Sequence, residues 1–403
     1  MAGGLIPLEE ARARLFAGVR ATGTETVPLA DAHGRTLAAP IVAMHDQPPA
    51  AMSAMDGYAI ARADWPGPWH VVGEAAAGGS AVAELGPGEA ARIFTGARVP
   101  EGADAVLIQE EAARDGDMLR PTLPGPLPPR DHIRARGLDF AAGQAAGTVG
   151  APITPALIGL AAAMGHATLR VHRRPRIAIL STGDELVPPG TAPAPGQIVE
   201  SCAPMIAAMI AAVAEPVMLG IAQDRTDAIA AALDRARGCE CVVTIGGASV
   251  GDHDLVRPAL LAAGGAVDFW RVAIRPGKPL MAGMLGDAVV LGLPGNPASA
   301  FVTALLFLLP LARVLAGQGD PLPPLLVARL GAALPANGNR RDHPRARVEL
   351  RDGELWATPM ARQDSSLLSV LAEADALIVR PEHAGATAAG ERIQMLDTRF
   401  GRF

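Results

Sequence analysis

The chain has 403 residues, half of them hydrophobic and 19% charged, which gives it more than one ordinary core to fill and sets it far from disordered proteins. A net charge of −6 argues against a general nucleic-acid or membrane-surface role, because both need clustered basic residues. Cys202, Cys239 and Cys241 are too few for a disulfide framework and lack a second pair for a zinc site, so a reducing cytoplasm is expected.

In chain order, residues 5 to 20 place Leu8, Ala11, Leu15 and Val19 on one side of an amphipathic helix. Glu9 and Glu10 break the basic-then-apolar layout of an export signal. From 46 to 139 short apolar runs (Trp69 to Val72, Ala90 to Phe94, Ala105 to Ile108) alternate with Gly, Pro and Asp115-Gly116 turns, which predicts an inserted β domain. Pro155 to Gly165 reads as a helix, and Arg170 to Pro175 as an extended basic connector. Residues 1–45 plus 140–175 are left as a helical linking domain.

From Arg176 the order is strand (Ile177 to Leu180), helix (Pro204 to Ala214), strand (Val217 to Ile221), helix (Thr226 to Arg237), strand (Cys241 to Ile245) and helix (Leu255 to Ala263). This alternation predicts a doubly wound, mostly parallel α/β domain over 176–320, with ligands at the carboxyl ends of its strands. An uncharged run from Ala288 to Ala312 is interrupted by Gly292-Leu-Pro-Gly-Asn-Pro297 and leaves a buried or dimer-facing helix too short to span a membrane. Residues 321–403 return to short runs (Arg345 to Leu350, Leu355 to Pro359, Ala376 to Arg380) and form a C-terminal β domain. The fold class is therefore multidomain α/β + β.

Each α/β strand ends in a small polar loop: Ser181-Thr182-Gly183-Asp184-Glu185, then Gln223-Asp224, then Gly246-Gly247-Ala-Ser249-Val-Gly251-Asp252-His-Asp254. Glycines let backbone N–H groups approach an anion, and the following helix adds its positive N-terminus, so a phosphate site is expected. Taken singly, any one loop is better read as a helix cap; three in register shift the balance. Asp184, Glu185, Asp224, Asp252 and Asp254 share that edge, where two carboxylates about 4 Å apart repel by roughly 4 kcal/mol at an effective dielectric of 20. A cation or a raised pKa would offset this, and oxygen ligands beside phosphate favour Mg²⁺. His253 is left as a solvated loop residue.

Of 35 basic residues only Lys278 is lysine, and it sits on the rigid turn Arg275-Pro276-Gly277-Lys278-Pro279. A compact ammonium kept among arginines suggests an anion clamp. Pro294, Gly295, Asn296 and Ser299 open the apolar helix, with Asn296 at the N-cap and Pro297 at the first helical position.

Six motifs in order, Ser53-Ala-Met-Asp56-Gly-Tyr-Ala, Phe94-Thr95-Gly-Ala with Gly102-Ala-Asp104, Ser181-Thr-Gly-Asp-Glu-Leu186, Gly246 to Asp252, Arg275 to Pro279 and Gly292 to Pro297, resemble those of the molybdopterin molybdotransferases, the family of the gephyrin E domain. The resemblance implies Mg²⁺-dependent transfer of molybdate to adenylylated molybdopterin with release of AMP, by a cytoplasmic homodimer of elongated four-domain protomers. It also implies transient contact with other cofactor-assembly proteins. Asp56, Asp139, Glu185, Asp224, Asp254 and Lys278 are implied as catalytic, Thr95, Arg134 and Ser365 as substrate-binding, with the Gly246 to Gly251 loop on the pterin phosphate. Asp184, Glu185, Asp224 and Asp252 are the expected metal ligands, and Asp56 is expected to reach a site shared with the other subunit. Leu138 stands where an acid is common, Arg257 and Arg275 replace lysines, Cys202 replaces an asparagine, and Gln363 to Ser366 matches the terminal serine motif approximately. Two alternatives are a non-catalytic pterin scaffold and a molybdopterin adenylyltransferase.

Overall fold

The computed structural model describes residues 5–79, 84–122, 125, 126, 128–247 and 255–400, without the side chains of Phe269 and Trp270. At its centre is a six-stranded sheet in the order Glu215–Ala222, Arg176–Thr182, Cys241–Ile245, Ala288–Leu293, Pro279–Leu285, Ala266–Arg271. The first four strands are parallel, and Pro279–Leu285 runs antiparallel to both of its neighbours. Cys241–Ile245 is buried at every position, as expected of a strand covered on both faces. Pro279–Leu285 and Ala288–Leu293 form a hairpin that turns around Gly286-Asp287, where the sequence predicts a loop and an apolar run.

The helices Cys202–Ile210, Thr226–Asp234 and Val256–Ala262 cover this sheet. Glu200 starts the first of them by accepting the amide hydrogen of Ala203 at 2.8 Å. The apolar helix is longer than expected: it runs from Pro297 to Leu315, is mostly buried, and contains a π turn at Ala304–Leu308 just before Pro310. Proline has no N–H, so in a regular helix the Leu306 carbonyl would lose its donor. Arg12 supplies one, Nε to Leu306 O at 2.8 Å.

Arg12 belongs to the helix Leu8–Phe16, which carries Glu9 and Glu10 in its first turn and Arg14 in its last, the order favoured by the helix dipole. Its buried Leu8, Ala11 and Leu15 join the α/β core, which continues into the C-terminal domain through Leu371, Leu377 and Leu396. Each fully buried leucine contributes about 1.5–3 kcal/mol of burial free energy.

The remaining units have cores of their own. Thr24–Pro28 pairs with Thr168–His172, so part of the expected connector is a strand, and Leu37, Phe140, Ile153 and Met164 pack between this ribbon and the helix Pro155–Ala163. The inserted sheet has the order Ala105–Ile108, Gly57–Ile60, Glu89–Ile93, Trp69–Ala75, Met118–Pro121, Ala112–Asp115. The C-terminal strands Leu325–Leu330, Glu354–Pro359, Arg345–Arg351, Ala376–Val379 and Arg392–Asp397 close into a barrel.

Candidate active site

Strand Arg176–Thr182 lies between its successors, Glu215–Ala222 on one side and Cys241–Ile245 on the other. All three strands are parallel, but the order in which the chain adds them reverses here, and the crevice beyond such a point is where open α/β sheets take ligands. Gly246, at φ +88°, packs so closely here that a Cβ would stand 2.8 Å from the Thr182 carbonyl oxygen. The Gly246 Cα is in turn the nearest neighbour of Gly295, 3.7 Å from where a Cβ there would stand. Backbone from three strand ends thus meets in one place: Thr182-Gly183, Gly246-Gly247 and Pro294-Gly295.

The crevice floor is polar and unsatisfied. Ser181, Thr182 and Thr244 are buried, and among the described residues their hydroxyls have no hydrogen-bond partner. Buried polar groups left alone cost about 1–3 kcal/mol each, so a ligand or water is the physical expectation. The Cys202 thiol donates to the Gly295 carbonyl at 3.6 Å, and burial, then the nearby Glu200, push it up to about 11. It is a neutral wall of the crevice.

Asp184 and Asp224 face each other across two loops and exchange donors: Asp224 N to Asp184 Oδ1 at 3.1 Å, Asp184 N to Asp224 Oδ2 at 3.4 Å. Backbone amides therefore meet part of the charge that seemed to demand a cation. The Glu185 carboxylate folds back over Gly183, Oε2 2.6 Å from where a Cβ would be. Among the described residues no three His, Cys, Asp or Glu side chains form a metal-binding group. Ser249, Gly251, Asp252, His253 and Asp254 lie outside the described residues.

Antiparallel register, Met281 opposite Gly292, puts the start of Pro279–Leu285 at the edge where the parallel strands end, and Lys278 just precedes it. The Lys278 side chain is exposed and makes no hydrogen bond or ion pair to a described residue. Arg275 is different: its guanidinium grips the Asp342 carboxylate, with Nε at 2.9 Å and Nη2 on the second oxygen. Asn296 occupies the N-cap of the apolar helix as expected, but its side chain does not cap that helix. It reaches Ser365 Oγ at 3.3 Å, and the Ser365 carbonyl accepts the Ala298 amide hydrogen at 3.0 Å. Ser299 is buried one residue further on.

The other expected residues stand apart. Asp56 accepts two hydrogen bonds from Thr95, from N at 2.7 Å and Oγ1 at 2.8 Å, and these hold its carboxyl below the usual range. Arg134 lies in a strand pair with Met52, and Asp139 follows the exposed Leu138. No hydrogen bond among the described residues joins this group to the glycine crevice.

The sequence reading missed a cavity of about 400 Å³ between the Arg275 loop and the C-terminal barrel. Arg345 and Arg380 line it, 3% and 5% exposed, and neither has a carboxylate in ion-pair range among the described residues. Two buried guanidinium groups that no described carboxylate pairs with directly make this cavity attractive to anions. His343 also lines it; burial pushes its imidazole down to about 4, and Nδ1 has no partner among the described residues. In sequence Arg345 and Arg380 are unremarked ends of two short expected strands, and His343 lies just outside them.

Three family models match the chain: "MoeA N-terminal region (domain I and II)" over residues 6–165, "Probable molybdopterin binding domain" over 178–314, and "MoeA C-terminal region (domain IV)" over 327–398. A protein named molybdopterin molybdenumtransferase 2 from Mycobacterium tuberculosis is 37% identical over 395 residues, covering 94% of this chain and 96% of its own length. The molybdopterin molybdenumtransferase of Bacillus subtilis is 33% identical over 402 residues, covering 97% and 94%. The crystal structure of the molybdopterin biosynthesis MoeA protein of Pyrococcus horikoshii superposes with a TM-score of 0.84 at 29% identity, covering 98% of this chain and 99% of that one.

Proposed function

Because the chain belongs to the molybdopterin molybdenumtransferase family, we propose that it transfers molybdate to adenylylated molybdopterin and releases AMP. Its place is molybdenum cofactor biosynthesis, as a transferase. The observation that carries the finer reading is the meeting of Gly183, Gly246 and Gly295 beside three hydroxyls that have no partner among the described residues, with the exposed Lys278 ammonium at the same sheet edge.

In this reading the glycine amides and the hydroxyls of Ser181 and Thr182 hold the substrate phosphate. Lys278 gives the oxyanion a compact, mobile positive charge, and Arg275, Arg345 and Arg380 keep the neighbouring potential positive. Asp184, Glu185 and Asp224, with Asp252, offer the hard oxygen donors that suit Mg²⁺, which would neutralise charge developing at the scissile pyrophosphate. Cys202 stays neutral and excludes water from one wall. The separation of Asp56, Thr95, Arg134 and Asp139 from this crevice supports a homodimer in which one copy completes the site of the other. Three free cysteines support a reducing, cytoplasmic setting.

The test is incubation with adenylylated molybdopterin, Mg²⁺ and molybdate or tungstate, following AMP. Lys278→Gln is expected to lower oxyanion-dependent AMP release by about 100-fold or more. Turnover equal to that of the unaltered protein would remove Lys278 from the mechanism. Pterin binding without AMP release would favour a scaffold instead.

A further inference from the structure

The loop carrying Lys278 is fixed by two bodies. On its inner side Gly277 presses on the apolar helix, where a Cβ would come 2.5 Å from Thr303 Cγ2. On its outer side Ile274–Arg275 pairs in parallel with Arg341–Asp342, which belongs to the C-terminal domain. Two backbone bonds complete this seam, Arg341 N to Ala273 O at 2.7 Å and His343 N to Arg275 O at 2.9 Å. Asp342 is buried and receives both Nε and Nη2 of Arg275. Its own backbone is bonded reciprocally to Arg380, at 2.9 Å in each direction. The carboxylate is thus a fixed point on the C-terminal domain, and Arg275 is the part of the loop it holds. Among the described residues the Lys278 ammonium has no partner, so the backbone of the loop is what places that charge among them.

We propose that Asp342 is a positioning residue for the oxyanion site, gripping Arg275 so that the seating of the C-terminal domain sets the place of Lys278. The inference rests on the reading of Lys278 as the oxyanion ligand. Asparagine at 342 would keep the shape but lose the charge, and its NH₂ group would face a guanidinium that only donates. The two seam bonds through Arg341 and His343 would survive, so the loop loosens while the domains stay joined. Glutamate would keep the bidentate acceptor at the cost of one added methylene.

The experiment uses the uniqueness of Lys278. Reductive ¹³C-methylation of the full chain labels one side-chain amine besides the terminal one. In Asp342→Asn the Lys278 resonance is expected to shift and broaden, and in Asp342→Glu to return towards its original position. In AMP-release assays the asparagine variant is expected to raise the oxyanion KM about tenfold or more with kcat within about threefold, a split that a general loss of structure would not produce. An unchanged Lys278 resonance in folded Asp342→Asn overturns the proposal, as does a fall in kcat with KM unmoved. Should that variant not fold, Arg275→Gln breaks the same grip from the loop side and is judged on the resonance alone, unchanged meaning rejection. If the unaltered protein releases no AMP with either oxyanion, the functional reading fails, while the resonance still decides whether Asp342 holds the loop.

Discussion

His343 is 2% exposed at the seam between the C-terminal strand and the Arg275 loop, with Asp342, Arg341 and Arg12 bearing on its charge and Arg345 and Arg380 sharing its cavity. Its imidazole is neutral in the folded protein down to about 4, whereas in the unfolded chain it takes up a proton near the ordinary 6.5. Between these values the unfolded state binds more protons, so stability falls as pH drops through this window. The loss amounts to roughly 3 kcal/mol by pH 4. His343→Phe is expected to flatten this part of the pH profile in urea unfolding measured at pH 7 and pH 4.5. An unchanged difference between the two pH values would mean that other groups carry the acid sensitivity. At this scale the sequence was informative about type and silent about partner. Lys278 stood out by composition alone, but nothing near residue 275 announced a carboxylate 67 positions later, and Arg345 and Arg380 carried no motif.

The apolar helix ties together parts of the chain far apart in sequence: its N-terminus meets Gly246 and Ser365, and its π turn meets Arg12. Burial has lowered the Arg12 guanidinium to about 10, the mark of a charge spent on a carbonyl in the interior. Arg12→Met should keep most of the packing and cost about 1–3 kcal/mol for the orphaned carbonyl. Pro310→Ala restores an N–H near Leu306 O, so the double variant should lose less than Arg12→Met does alone. Strict additivity in a denaturation cycle would refute the link between the proline and the arginine. Strand and helix periods were legible where local pattern decides them, as in Cys241–Ile245, read to the residue. The strand Thr168–His172 and the Pro279 hairpin were not, because their identity depends on partners distant in sequence or on a turn without the usual Asn-Gly signal.

Over the whole molecule, one apolar core joins the first helix, the α/β sheet and Leu371, Leu377 and Leu396, while the inserted sheet and the linking ribbon close separate cores. Separate cores need not melt together. Calorimetry is expected to resolve at least two transitions, with Trp65 and Trp69 of the inserted sheet reporting on one of them. A single transition with equal calorimetric and van't Hoff enthalpies would contradict this. The division into α/β and β parts was visible in the changing period of the sequence. The shared core was not, since nothing in residues 8 to 16 says which sheet they will cover.

The bond from Arg12 to Leu306 also has a meaning in time. Its partners are 294 residues apart, so no nascent chain that ends before Leu306 can form it. At synthesis rates of 5–20 residues per second the interval is roughly 15 to 60 s. Through that period the apolar stripe of Leu8, Ala11 and Leu15 has no finished surface to cover, although the inserted sheet between them in sequence can already close. The helix Leu8–Phe16 is thus seated long after its own synthesis, and it acts as a latch over the buried helix Pro297–Leu315.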